Sequence, residues 1–95
     1  MRGLNFGQAL ELLKGGTIVT RAGWNGPGQW LILVPGSTIT VAGDRPLGQA
    51  VPGLIGEQLE YRPHIDIMTV QRSLVPWIAS QSDLLAEDWE AVDEA

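Results

Sequence analysis

The sequence predicts a small α+β fold: an antiparallel sheet with an N-terminal helix and a short C-terminal helix, in a single domain over residues 1–95 that assembles as an oligomer. Three observations carry this. One segment near the N-terminus has helical apolar spacing. After it come short β-branched or apolar runs separated by glycine and proline. Finally, 95 residues with 12 glycines and 6 prolines leave room for one core and few long elements. A chain of this size buries only about 60–65% of its unfolded surface, so association with further copies is a natural supplement to the core.

The clearest helix is Asn5 to Lys14. Phe6, Ala9, Leu10 and Leu13 share one face at i, i+3, i+4 and i+7. Asn5 with Gln8 three residues on makes a capping box, and Gly15 can take the left-handed conformation that ends the helix. Thr17–Arg21 and Gln29–Val34 read as strands joined by the turn-rich loop 22–28. The continuously apolar Trp30–Val34 implies burial on both faces, one of them a candidate subunit interface. Ser37–Val41 is a further extended piece. Residues 42–60, with four glycines and two prolines, read as a long loop. Tyr61–Val70 is extended, Gln71-Arg72-Ser73 turns the chain, and Leu74–Ile78 is a strand. Ser80 or Ser82 caps a helix from about Gln81. Leu85, Trp89 and Val92 fit helical spacing, while Trp89–Val92 fits a terminal strand equally, and 91–95 is expected to fray.

The net charge of −5 is unevenly spread. Residues 1–82 hold all six basic residues and five acids, whereas the last thirteen residues hold six acids and no base. A nearly neutral body without a basic stripe argues against a long nucleic acid partner. Clustered tail acids are usually a solvated face, and imitation of DNA is the sharper alternative. There is no cysteine and only one histidine, which argues against a tetrahedral metal site and against disulfides. No stretch approaches the roughly 18 apolar residues of a membrane span, and the N-terminus does not read as a signal peptide. Phosphate-loop, Ser/His/Asp and metal motifs are absent, so the expectation is a protein that is not an enzyme and needs no cofactor or metal.

Binding chemistry is suggested in three places. In the loop after Arg21, Trp24 can stack on a base, Asn25 can bond its edge and Arg21 can pair with a phosphate; equally, Asn25-Gly26 marks a plain hairpin turn with Trp24 in the core. His64 and Asp66 share a strand face beside Arg62; a structural hydrogen bond is the default there and contact with a polar ligand the alternative. Around Trp77, the run Ser80, Gln81, Ser82 and Asp83 opens a helix, where capping is one role and hydrogen bonding to a ribose or base another. Asp83 opposes an anion at that helix start, so it suits ribose or base better than phosphate.

The strings RAGWNGPGQWLILVPGST (21–38), YRPHIDI (61–67) and VPWIASQSDLLAEDW (75–89), with NFGQALELLKGG at the start, resemble a small phage-encoded family that includes Thoeris anti-defence proteins of the second type. The resemblance implies a compact α+β protein, a homotetramer with ligand pockets between protomers. It implies binding and sequestration of a cyclic nucleotide immune signal, a cyclic ADP-ribose isomer and in some members cyclic dinucleotides, without cleavage, in the cytoplasm of the infected bacterial host. On this reading Arg21, Trp24, Asn25, Arg62, His64, Trp77, Ser80, Gln81 and Asp83 are the ligand-binding candidates. The alternatives are a phage accessory interaction protein with no small-molecule ligand and, third, a nucleotide-directed enzyme.

Overall fold

The computed structural model describes residues 1–93. Helix α1 (Phe6–Lys14) starts at the expected capping box: the Gln8 N–H donates to Asn5 Oδ1 at 2.8 Å and the Asn5 N–H to Gln8 Oε1 at 3.0 Å. Its end differs by one residue from expectation. Gly15 stays right-handed at φ −84° and Gly16 takes the left-handed conformation at φ 95°. Thr17 N–H then reaches Leu12 O and Gly16 N–H reaches Leu13 O, both at 3.0 Å, the paired bonds that terminate a helix through a left-handed residue.

Five strands form one antiparallel sheet: β1 (Ile18–Arg21), β2 (Trp30–Val34), β5 (His64–Met68), β6 (Leu74–Pro76) and β7 (Trp89–Val92), in the order β6-β5-β2-β1-β7. β2 pairs β5 from Trp30↔Met68 to Val34↔His64, and β1 pairs β7 from Ile18↔Val92 to Arg21↔Trp89. Residues Leu4 and Met1 bond to the backbone of Trp89 and Ala91, which satisfies the outer edge of β7. The two readings of Trp89–Val92 resolve as a strand, because the register places Trp89 and Ala91 over the core. Of the tail expected to fray, Ala91 and Val92 are paired strand residues, and residues 94–95 lie outside the described ones.

Strand alternation divides this sheet into two faces. Val19, Leu31 and Trp89 are fully buried against Ala9 and Leu13 of α1, and Leu33, Ile65, Ile67 and Trp77 pack around that cluster. The helix stripe and the period-2 strand pattern thus meet in one core. On the opposite face the alternation places Ile18, Trp30, Ile32, Val34, Met68 and Val92, all partly exposed. Among the described residues no helix packs on that side: α1 contacts β1, β2, β7 and the short helix α3 (Gln81–Leu85) from the core side. The apolar run Trp30–Val34 is therefore covered on one face only within a single chain.

The segment expected as a loop over 42–60 is instead structured. It holds α2 (Pro46–Ala50), a 3-10 turn at Pro52–Leu54 and most of β4 (Gln58–Tyr61), which pairs with β3 (Ser37–Thr40) in a separate two-stranded ribbon. Pro46 opens α2 and Pro52 the 3-10 turn. Proline with its fixed φ serves well at a first helical position, so residues that read as breakers act here as starters. The buried Gly48 lies against Ala42, where a side chain would collide with the Ala42 carbonyl. This ribbon and its helix form an arm with its own buried residue, Val41, separate from the main core. The molecule measures 49 × 26 × 26 Å with a radius of gyration of 16.5 Å, against about 12 Å for a compact chain of this length.

Candidate functional site

At the end of the sheet where β1 runs into the loop 22–28, Arg21 projects to the core side and meets the C-terminal segment. Its Nε donates to Asp88 Oδ1 at 2.8 Å, Nη1 to Asp83 Oδ1 at 2.8 Å and Nη2 to Asp88 Oδ2 at 3.4 Å. Asp88 Oδ2 also accepts the Gly23 N–H at 2.8 Å. A side chain at Gly23 would bring its Cβ to 2.7 Å from that same oxygen, so a larger residue there would push the Asp88 carboxylate out of this position.

Asp83 is the hub of this corner. Its Oδ1 accepts from Arg21 and from Trp24 Nε1 at 3.0 Å. Its carboxylate closes a capping box with Ser80 (Asp83 N–H to Ser80 Oγ 3.0 Å, Ser80 N–H to Asp83 Oδ2 3.4 Å), and its carbonyl accepts Trp89 Nε1 at 2.9 Å. The indole N–H groups of Trp24 and Trp89 are thereby satisfied, as buried tryptophans require. Trp24 and Trp77 meet Trp89 edge-on at 5.4 and 6.2 Å, and Phe6 lies 5.3 Å from Trp89. The Asp83 side chain is only 13% exposed and that of Arg21 18%.

The electrostatics follow from this geometry. Burial alone would raise the Asp83 carboxyl, but hydrogen bonds from Trp24, Arg21 and Ser80 outweigh it and hold its pKa below the ordinary value. The Arg21 hydrogen bond likewise lowers Asp88, against a smaller opposing effect of burial. Hydrogen bonding to Asp88 and then to Asp83 raises Arg21. The site is a clamp of one guanidinium between two carboxylates, with a net charge of −1, that joins β1, the start of α3 and the start of β7.

The candidates from the sequence therefore fall into two groups. Arg21, Trp24, Trp77, Ser80 and Asp83 converge on this corner, with Gln81 exposed on α3 and Asn25 exposed in the adjoining loop without a side-chain hydrogen bond among the described residues. Arg62 and His64 lie at the far end of β2 and β5, opposite Val34, about 14 Å along the strand from Trp30. There Arg62 pairs with Glu60 at 3.7 Å while 86% exposed, and His64 Nε2 stands 3.5 Å from Asp66 Oδ2.

Next to the clamp, an open cleft of about 640 Å³ runs between the loop 22–28, the β5–β6 turn and β7. Trp24 and Trp30 contribute aromatic wall, Thr20 a hydroxyl, Arg72 a guanidinium, and Glu90 and Asp93 carboxylates. The tightness of the loop is set at Gly26, where a Cβ would strike Val70 of the β5–β6 turn and Gln29. A second concavity of about 820 Å³ lies on the arm, between Ile39, Val41, Arg45, Leu47 and Tyr61. Sequence reasoning missed Trp30, Arg72, Asp88 and Glu90. The signals were present but weak: an arginine in a turn tripeptide, and acids that read as a solvated tail. No group of three or more metal-ligating side chains occurs among the described residues, and no helix there is long and apolar enough to cross a membrane.

Two comparisons bear on this arrangement. The Thoeris anti-defense 2-like domain matches residues 4–92, from the β7 edge contact of Leu4 to the end of β7. A curated relative, Thoeris anti-defense 2 of Bacillus phage SP01, is 39% identical over 89 residues, covering 94% of each chain. The match takes in the helix, the whole sheet, the clamp and the arm, so this chain belongs to the Thoeris anti-defense 2-like family.

Proposed function

We propose that this protein inhibits the Thoeris anti-phage defence by binding a cyclic nucleotide immune signal and holding it without cleaving it, in the cytoplasm of the infected bacterial host. The observation that carries the reading is the cleft beside the clamp. Its volume of about 640 Å³ suits a nucleotide-sized guest. Its wall combines indoles for stacking with a cation and carboxylates for phosphate, ribose and base edges. A cyclic ADP-ribose isomer presents all of these groups, and cyclic dinucleotides share them. The role is sequestration, non-enzymatic and without a cofactor. Trp24 lies nearest the guest in this reading, with Arg21 at the cleft wall beside it and Asp83, capped by Ser80, supporting Trp24 from behind. Asn25, Trp77, Gln81, Arg62 and His64 become ligand contacts only where the loop or a second copy brings them to the cleft.

Assembly belongs to the same proposal. The partly exposed side chains of Ile18, Trp30, Ile32, Val34 and Met68 form an apolar stripe on the sheet face that no helix of the described residues covers, and exposed apolar patches are candidate interaction sites. Sheet-on-sheet packing of two copies would cover it, and a homotetramer follows if the arm pairs as well. The reading is tested by mixing the protein with the product of a Thoeris TIR enzyme, removing unbound material, denaturing the protein and identifying what is released. Intact signal in stoichiometric amount is expected, and a cleaved product would turn the assignment to an enzyme. The same uncovered face favours a second reading, an accessory interaction protein with no small-molecule ligand. Native mass of the assembly, with and without the signal, separates the two: an oligomer that never takes up the small molecule supports the second.

A further inference from the structure

We infer that Arg72 is the phosphate-facing residue of the cleft, an inference that rests on the sequestration reading above. Three arginines stand near enough to the candidate residues to be weighed. Arg21 already directs Nε, Nη1 and Nη2 at Asp83 and Asp88, and a phosphate there would have to displace carboxylates from a largely buried clamp. Arg62 stands at the opposite end of the sheet beside Glu60. Arg72 lines the cleft as Arg21 does, but unlike Arg21 it makes no ion pair or side-chain hydrogen bond among the described residues.

Its backbone is also set for the task. Arg72 is the only non-glycine residue with positive φ among the described residues, at 66°, a conformation that costs strain in most residues with a side chain. The turn holds it there: Arg72 N–H donates to Thr69 O at 3.0 Å, Ser73 N–H to Thr69 Oγ1 at 3.1 Å and Thr69 N–H to Ser73 O at 2.9 Å. Glycine would fill this position without strain, so the arginine carries a local stability cost that glycine would not. The acids of the same cleft sharpen the assignment. Glu90 and Asp93 on the β7 side repel a phosphate but accept from ribose hydroxyls and base amino groups. A ligand with a pyrophosphate and two riboses therefore lies with its phosphates toward the β5–β6 turn and its riboses toward β7.

Titration calorimetry on the full chain, with the cyclic ADP-ribose isomer made by a Thoeris TIR enzyme (hereafter cyclic ADP-ribose) and with adenosine as a phosphate-free probe, tests this in wild type, Arg72→Asn and Arg72→Lys. Asparagine tolerates the left-handed backbone, so the first variant is expected to melt at or above the wild-type temperature. It is expected to bind cyclic ADP-ribose about 10- to 100-fold more weakly, with a shallower salt dependence, while lysine recovers part of the loss and adenosine binding does not change. An Arg72→Asn protein that binds cyclic ADP-ribose as tightly as wild type overturns the role of Arg72 alone. A wild type that binds neither probe overturns this inference together with the sequestration reading.

Discussion

The clamped corner and the arm of this protein are held together in opposite ways. Around Trp89, segments more than sixty positions apart in sequence are joined by charge-assisted hydrogen bonds to Asp83 and Asp88 and by four aromatic contacts. In the arm, β3, β4, α2 and the 3-10 turn contact one another, and Val41 is buried while Ile55 and Tyr61 are 50% and 57% exposed. A two-stranded ribbon is marginal when alone in water, so the arm depends on its own small helix or on another chain. The corner, by contrast, is complete within one chain. The difference teaches where rigidity was placed: beside the cleft, not at the periphery.

Four experiments would break or sharpen that contrast. Removing the largest buried side chain, in Trp89→Ala, is expected to cost about 3–5 kcal/mol in urea unfolding, because its ring contacts Phe6, Trp24 and Trp77. A loss below about 1 kcal/mol would show that the corner is not a rigid unit. Next, Asp83→Ala strands the Arg21 guanidinium and the Trp24 N–H and is expected to cost about 2–3 kcal/mol, with the tryptophan emission shifting to the red. Asp83→Asn, which keeps an acceptor oxygen, should cost less.

The third experiment is a pH series. Asp83 and Asp88 have folded-state pKa values below their ordinary 3.8. Their contribution to stability is therefore fully present above that value and is lost as pH falls through the lower folded-state values. Urea midpoints should be flat in this respect from neutral pH to about pH 5 and drop below pH 4. Asp83→Asn should show a smaller acid drop than wild type, and an equal one would remove the clamp from the explanation. The smallest effect belongs to the arm. Ile55→Ser and Tyr61→Ser are expected to change unfolding of the sheet by no more than about 0.5 kcal/mol, with amides of β3 and β4 exchanging faster than those of β2. A loss comparable to that at Asp83 would mean the arm is packed on something in solution.

Much of the fold was legible because its signals are local. The capping box at Asn5 and Gln8, the helical stripe and the β-branched runs at β1 and β2 each depend on neighbours within a few residues and appear close to where the sequence predicts them; the extended run expected over Tyr61–Val70 is instead divided, Tyr61 ending β4 and His64–Met68 forming β5. The arm was not legible, since Pro46 and Pro52 carry one meaning inside an element and the reverse at its first position. Trp89–Val92 was ambiguous for a related reason: an acidic, short segment has no decisive period, and only pairing with β1 makes it a strand. Of the candidate site, the tryptophans and Asp83 stood out by type. Asp88, read as part of a solvated tail, could not, because its role exists only once Arg21 is beside it.

The sequence by itself determined the helix, the sheet-forming runs, the α+β class and the family, since each is written in residues close together or in strings long enough to be specific. Tertiary structure decided what the charges do. It paired Arg21 with acids 62 and 67 positions away, left Arg72 facing the cleft, and opened one apolar face of the sheet. Electrostatic energy depends on through-space distance and burial, and neither quantity is a property of sequence order.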